Sequence, residues 1–420
     1  MIRTHILPCH LPREEADALN LESGRIYSQV LVTHWRAYRN NRHWLSQYGA
    51  MGLNDWYNQE SPRKLHAHTT DAAQQGFYKA CTTTRALRKE GIDAKYPYHR
   101  QRFRTTIWKT SALKRSGVIL TLSNARGSSK IDIALPESLR SCLRILEVRL
   151  VFEKRSRKYF WHLVAEDGQK PKDPPGDNLV SVDLGEIHPA VVGDEVESVL
   201  ITCRELRHEK QGHAKRLASL KSALSRKEKN SNRYRKLIRT QSRLKGQHLR
   251  VVRDMEHKIS RAIVDVAVER QAGTLVVGDV RDIADKVALG KKTNQKISQW
   301  SHGKIRSYLT YKAEAEGIQV ELQDEAYTTQ TCPQCGHRHK PRGRVYRCPA
   351  CRFQSHRDVV GQINILSAFK YGEPGKIPAP QIIKHRIPHN LRVMRRCRDA
   401  GQVDILPVAR GLPLREAAGL

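Results

Sequence analysis

The sequence has no apolar run long enough to span a bilayer, and it does not open with the charged, apolar and small-residue order of a secretory signal. A membrane protein and an exported protein are both excluded as expectations, and the chain reads as soluble and cytoplasmic. Negative charge is scarce: 42 Asp and Glu stand against 75 Lys and Arg, a formal net charge of +33. An imbalance that large repels itself unless a polyanion is bound, which points to nucleic acid as the partner. Matched cysteines are also few. Cys9, Cys81, Cys142, Cys203 and Cys397 stand alone, and an odd total of 9 without a secretory signal argues against a disulfide framework. No internal repeat is evident. What is present is a chain of 420 residues, 39% of them hydrophobic. That suffices for roughly two to four domains and at least one ordinary core.

Ile2 to Leu7 reads as a short strand, and residues 20–95 as a helical segment in which Val30, Leu31, His34, Trp35 and Tyr38 form a core-facing stripe. From Tyr96 to Arg115 basic residues interleave with aromatics. Arginines anchor phosphates and aromatic faces stack on unpaired bases, so Arg102, Arg104 and Lys109 are candidate nucleic-acid contacts. A solvated basic strand with core aromatics explains the same pattern. Four alternating segments follow, 117–123, 130–135, 146–153 and 159–165, which makes residues 1–19 and 96–166 a small antiparallel β domain. Residues 167–177 (DGQKPKDPPGD) are rich in Pro, Gly and charge and read as a linker.

The second domain is expected over 178–370. It begins with LVSVDLG, a buried-type strand with one acid, and continues through two long basic helical arms broken at Asn230 to Asn232. Thr274 to Val280 is a further strand, Ser298 to Gly317 a helix, and Ile318 to Gln323 a strand. The alternation fits an α/β layer fold. The basic, proline-bearing tail over 371–420 lacks sustained periodicity and is expected to be largely disordered.

Cys332, Cys335, Cys348 and Cys351 follow the pattern C-x2-C-x12-C-x2-C. Two residues between cysteines let both sulfurs of a tight knuckle face one ion, and two knuckles complete the tetrahedron that zinc prefers. The expected site, a zinc ribbon over 328–355, is structural because four sulfurs leave no open position. Gly336 follows the first knuckle as a turn residue would, whereas Arg352 takes the equivalent place in the second.

Directly after the ribbon, HRDVVGQINIL places Asp358 at the opening of a helix. Asp183 and Asp358, acids from distant strand and helix ends in a basic protein, suit a divalent-metal nuclease, where carboxylates hold magnesium. VSVDLG, the helical hairpin, VVGDV, EAYTTQTCPQCG, YRCPAC and HRDVVGQINIL together resemble the C-terminal RuvC domain of the TnpB family, relatives of the type V CRISPR nucleases. The resemblance is specific from about Asn178 to Phe369; before Pro175 only the order of elements is similar. It implies an α/β fold with an RNase H-like RuvC nuclease domain carrying the inserted four-cysteine zinc ribbon. A β-rich wedge-type domain bearing a helical recognition lobe would precede it.

The implied activity is RNA-guided DNA cleavage next to a short flanking motif. Guide RNA and target DNA would be the partners, with structural zinc and catalytic magnesium as cofactors. Asp183 and Asp358 match the first and third catalytic acids. The second acid is displaced: Gly278 stands where the family usually has Glu, and Val360 where it usually has Asn. Glu325 is the expected replacement. In an RNase H-like sheet the strand ending near Gly278 has Ile318 to Gln323 as its parallel neighbour, about 4.8 Å away. Asp279 should point to the opposite side, because successive strand residues alternate.

Two other functions share these features: a nuclease-dead RNA-guided DNA binder, and a guide-free zinc-containing accessory protein. One expectation is common to all three. Replacing Cys332 and Cys335 by Ser should lower the zinc content and destabilise the ribbon, as metal analysis and thermal unfolding would read; undiminished zinc in that variant would remove the ribbon assignment.

Overall fold

A computed structural model describes residues 2–57, 64–280, 290–389 and 406–407 and divides the chain into two units, residues 1–169 and 170–420. In the first unit, strand β1 (Ile2–Pro8) leads into helices α1 (Arg13–Asn41), α2 (Gln47–Tyr57) and α3 (Ala67–Lys89). The helical segment was expected from residue 20 but begins at Arg13. Pro12 supplies an extended N-cap, and Glu14 and Glu15 sit in the first turn, where the helix dipole favours acids. Val30 and Leu31 of the α1 stripe cluster with Phe77 and Tyr78 of α3. His34 is fully buried, with Nδ1 3.0 Å from the Tyr78 hydroxyl.

Strands β2 (Thr106–Lys109), β3 (Leu113–Ser116), β4 (Ile119–Leu122) and β5 (Ile131–Ala134) follow. Then come the short helix α4 (Glu137–Arg140) and strands β6 (Arg144–Glu153) and β7 (Lys158–Glu166). One antiparallel sheet has the order β1-β7-β6-β2, and a second is the meander β3-β4-β5. Along β7 the inward positions Tyr159, Trp161, Leu163 and Ala165 alternate with more exposed ones, the period of a sheet with one buried face. Trp161 meets Trp108 edge-on with ring centroids 5.8 Å apart. Asn20 ties α1 to this sheet: its amide donates to Leu150 O at 3.2 Å, and its oxygen accepts from Thr106 N at 3.0 Å.

The second unit starts with strands β8 (Asn178–Asp183), β9 (Ala190–Gly193) and β10 (Glu197–Ile201) and the paired helices α5 (Arg204–Ser225) and α6 (Asn232–Glu269). Asn230 breaks the pair with φ of 68°, and the Ser231 hydroxyl caps α6 through Tyr234 N at 3.2 Å. Strand β11 (Ala272–Asp279), helices α7 (Lys291–Ser298) and α8 (His302–Ala315) and strand β12 (Gln319–Asp324) come next. The helix expected from Ser298 therefore starts at His302. After it lie the ribbon strands β13 (Val345–Arg347) and β14 (Gln354–His356), helix α9 (Arg357–Tyr371), strand β15 (Ile382–Arg386) and the two-residue β16 (Leu406–Pro407).

The main sheet has the order β12-β11-β8-β9-β10-β15-β16. Strands β12, β11 and β8 are mutually parallel, while β8, β9 and β10 alternate in direction. Helices α6 and α8 pack with Val180, Val182, Leu275 and Val277 on one face, and α9 covers the other. No helix among the described residues is long and apolar enough to cross a membrane.

Strand β15 lies within the tail expected to be largely disordered. Strand β10 is buried along its length and offers an edge of unpaired backbone groups, which Ile382 to Arg386 fill in parallel register. Lys384 adds an ion pair to Glu197 at 2.7 Å. The segment is too short to show periodicity in the sequence. Residues 390–405 and 408–420 of that tail lie outside the described residues.

The two cysteine knuckles close by the same hydrogen bond: Gly336 N donates to Cys332 O at 2.9 Å, and Arg352 N donates to Cys348 O at 3.0 Å. Both turn residues are left-handed, with φ of 72° at Gly336 and 60° at Arg352. A side chain in that region costs about 1 kcal/mol. Arg352→Gly is therefore expected to stabilise the ribbon by about 1 kcal/mol in thermal or denaturant unfolding. An unchanged or lowered stability would show that the arginine side chain compensates.

Candidate active site

Because β8, β11 and β12 are parallel, their C-terminal ends lie along one edge of the sheet, and each ends at an acid: Asp183, Asp279 and Asp324. The register pairs Gly278 with Gln323 and Asp279 with Asp324, so Glu325, two residues past Gln323, is on the Gly278 side. A Cβ built on Gly278 would lie 1.8 Å from Glu325 Oε1 and 2.6 Å from its Cδ. The Glu325 carboxylate thus occupies the space that a side chain at position 278 would need. Asp279 faces the other way and pairs with Arg306 of α8 at 3.0 Å.

Asp183 meets the third side of this pocket. A Cβ on Gly361 of α9 would fall 2.4 Å from Asp183 Oδ2, so only glycine lets the helix approach the carboxylate this closely. Asp358 lies one turn earlier, in the first turn of α9, where His356 Nδ1 accepts its backbone N–H at 3.2 Å. Burial and the Asp358 charge push the Asp183 carboxyl up to about 7. Burial and the charges of Asp183, Asp279 and Asp324 push Glu325 up to about 9. Glu325 Oε1 is buried without a hydrogen-bond partner. Asp358 has a paired counter-charge, Arg344 Nη1 at 3.0 Å. Crowded carboxylates with an orphaned oxygen are the oxygen donor set that a hard divalent cation takes.

Sequence reasoning missed His188 and two amides. Ligand atoms of His188, His356 and Asp358 all lie within 4.8 Å of one another, and burial pushes His188 down to about 4, leaving it neutral. The fully buried Gln362 amide donates to Ser181 Oγ at 2.7 Å and to Gly193 O at 3.0 Å. The equally buried Asn364 donates to Thr328 O and Thr331 O, each at 2.7 Å. Both sit on α9 within a run that reads as apolar, and their only signal is polarity on a buried helix. Val360 packs with Cys332, Tyr346 and Cys348 and joins α9 to the ribbon.

The four cysteine sulfurs lie within 4.8 Å of one another, with Cys332 to Cys351 and Cys335 to Cys348 each at 3.6 Å. A tetrahedral zinc thiolate site spaces its sulfurs by about 3.8 Å, so the cluster has the size and chemistry to hold zinc.

The three candidate cations of the first unit divide. Arg102 is exposed and lines an open cleft with Arg25, Arg36, Lys64 and Arg100. Arg104 is instead internal: its guanidinium lies over the Tyr27 ring, 4.2 Å from the centroid, and fills the space beside Gly76. Lys109 is bound to Glu147, which also pairs with Arg149. Those two expected contacts serve packing and charge balance within the unit. In the second unit Lys221, Arg226, Lys227, Arg233, Arg235 and Lys236 are exposed around the tip of the α5–α6 pair.

Two family models match the chain. Residues 162–284 match OrfB_IS605, "Probable transposase", and residues 302–365 match the Cas12f1-like TNB domain. The "Putative RNA-guided DNA endonuclease InsQ" of Escherichia coli K12 is 29% identical over 50% of this chain and 54% of its own. The "TnpB-like protein MJ0751" of Methanocaldococcus jannaschii is 28% identical over 36% of this chain and 54% of its own. A CRISPR-associated endodeoxyribonuclease Cas12f1 of Sulfoacidibacillus thermotolerans is 31% identical over 26% and 25%. The chain thus spans about half the length of these curated relatives, or less. In fold, the chain is similar to the protein of a Cas12f1–sgRNA–target DNA complex, with a TM-score of 0.60 and 12% identity over 84% of this chain and 83% of that one. These matches, together with the acids and cysteines at their centre, support a protein similar to the TnpB family and related to the type V effectors.

Proposed function

We propose that this protein is an RNA-guided DNA endonuclease in which Asp183, Glu325 and Asp358 hold catalytic magnesium. Cys332, Cys335, Cys348 and Cys351 hold a structural zinc. The observation that carries the reading is the Glu325 carboxylate in the side-chain space of Gly278, with a buried oxygen that no protein group satisfies. The order β10-β9-β8-β11-β12, three antiparallel strands followed by two parallel ones, supports an RNase H-like RuvC domain. Helices α1 to α3 and the two sheets of residues 1–169 support the recognition lobe and wedge-type domain. Guide RNA and target DNA are the partners that a formal charge of +33 suits, with base pairing reading the sequence and the protein holding backbones.

When bound, magnesium supplies an activated water and stabilises the leaving oxygen of the phosphodiester. The chain's part is positioning. Asp183 comes from a strand end, Asp358 from a helix start, and Glu325 reaches in from the neighbouring strand through the gap left by Gly278. Arg344 and the His356 cap fix Asp358. Asp279 is withdrawn from the pocket by Arg306. Four thiolates leave the zinc no open position, so the ribbon shapes the site without taking part in the chemistry.

The test is to purify the protein from cells, sequence the bound RNA, and incubate the complex with matching DNA and Mg²⁺. Asp183→Asn, Glu325→Gln and Asp358→Asn should each reduce cutting by on the order of 100-fold or more while RNA-guided binding persists; Asp279→Asn should be much milder. Gly278→Glu alone should fail, because its side chain meets Glu325, and Gly278→Glu with Glu325→Ala should recover activity. Normal cutting by Glu325→Gln would sink the relocated acid. Guided binding without cutting by the unmutated protein selects a repressor, and absence of a defined RNA selects a guide-free factor.

A second prediction concerns pH. In the metal-free fold Asp183 titrates near 7 and Glu325 near 9, both above the ordinary carboxyl value of about 4. The folded state therefore holds protons that the unfolded state releases. The stability this gives is complete below about pH 4 and is lost as pH rises through about 7 and 9. The unfolding midpoint of metal-free protein should fall across that window more steeply than that of Glu325→Gln. Added Mg²⁺ should raise it most at the alkaline end. Parallel curves for the two proteins would contradict the assigned repulsion.

A further inference from the structure

The α5–α6 pair contains a second cluster of metal-ligating side chains, away from the pocket described above. Glu209 and His213 are four residues apart on α5, one helical turn, so both project from one face. That face meets His248 of α6, and one ligand atom from each of the three residues lies within 4.8 Å of the others. His213 is 8% exposed, and its Nδ1 has no hydrogen-bond partner. The rings of His213 and His248 stack in parallel with centroids 3.8 Å apart. Two imidazolium cations would repel at that distance, so at least one ring is neutral and carries a free lone pair. Burial first, and the His248 charge second, hold His213 below its ordinary value. His248 Nδ1 lies 2.9 Å from Glu209 Oε1, and Arg216 contacts both Glu209 oxygens at 3.2 Å.

We propose that Glu209, His213 and His248 bind one divalent first-row transition-metal ion and so cross-link the two arms of the basic hairpin. Two imidazoles and one carboxylate suit zinc, nickel or cobalt, and not the magnesium expected at an all-carboxylate pocket. A tetrahedral ion holds its ligand atoms about 3.4 Å apart, so binding contracts the cluster and tilts the parallel rings until their lone pairs converge. The ion also displaces Arg216 from one Glu209 oxygen. The arms otherwise carry dense positive charge that drives them apart, and a shared ion fixes their separation where the exposed cations begin. The site stands independently of the endonuclease reading.

The test is metal stoichiometry of the full chain, loaded with zinc and freed of excess ion. The parent should carry one more zinc than either His213→Ala or His248→Ala, whatever the cysteine ribbon contributes. With cobalt, the site should show a visible band without thiolate charge transfer, and the same variants should lose it. Glu209→Gln, the conservative change, should weaken zinc binding by at least about 10-fold in direct titration of Zn²⁺ into ribbon-loaded protein. Equal zinc counts in the parent and the double His variant, or an unchanged affinity in Glu209→Gln, would overturn the proposal.

Discussion

Two buried amides on one helix hold the acidic pocket together. Gln362 bridges α9 to β8 and β9, and Asn364 bonds the turn that follows Glu325, where Thr328 N and Oγ1 in turn bond Glu325 O at 3.2 and 2.9 Å. Each such hydrogen bond contributes about 1 kcal/mol net, but leaving a buried amide unpaired costs about 1 to 3 kcal/mol, so the pairing selects one docking of the helix. From that docking follow the start of α9 at Asp358, the approach of Gly361 to Asp183, and the seat of the Glu325 turn. Val360 extends the same helix into the cysteine knuckles. A single helix therefore carries Asp358, packs against Asp183 and joins the Glu325 turn to the ribbon.

The pocket so formed is electrostatically unsatisfied. Asp183 and Glu325 are both raised by burial and by neighbouring acids, only partly offset at Asp183 by Arg357, while Arg306 and Arg344 are committed to Asp279 and Asp358. Within a protein that carries a large excess of positive charge, leaving two buried carboxylates without a paired cation is costly. A bound divalent ion would remove that cost, which is what favours the proposed metal site. The Gly278 and Glu325 arrangement shows that one strand's carboxylate fills the side-chain space of its neighbour's glycine. On the proposed function, that neighbour supplies the acid which glycine at position 278 cannot.

Positive charge behaves differently in the two units. In residues 1–169, Arg104 and Lys109 are drawn into the fold, one over an aromatic face and one onto a buried glutamate, leaving Arg102 among the cations of an open cleft. In the α5–α6 pair the cations around the tip stay exposed because the apolar stripe is narrow and few acids lie opposite them. Composition predicted both segments as basic. It could not tell which basic side chains have partners, because aromatic stacking and ion pairing depend on residues tens of positions away.

The sequence by itself determined whatever rests on local spacing: the knuckle pattern, the left-handed turn that Arg352 has to adopt, the strands with alternating or continuous apolar runs, the break at Asn230, and the two acids at the ends of β8 and α9. It also put Glu325 on the Gly278 side of the sheet, through the parity of two neighbouring strands, once their parallel pairing was assumed. Tertiary structure alone decided that Ile382 to Arg386 completes the sheet, that Gln362 and Asn364 are structural pins, that Asp279 is neutralised by Arg306, and that His213 stacks on His248. Each of these depends on long-range contacts whose partners are interchangeable at the level of residue type. Local periodicity carries the direction a side chain takes from its own element, and only the packed fold supplies what it meets there.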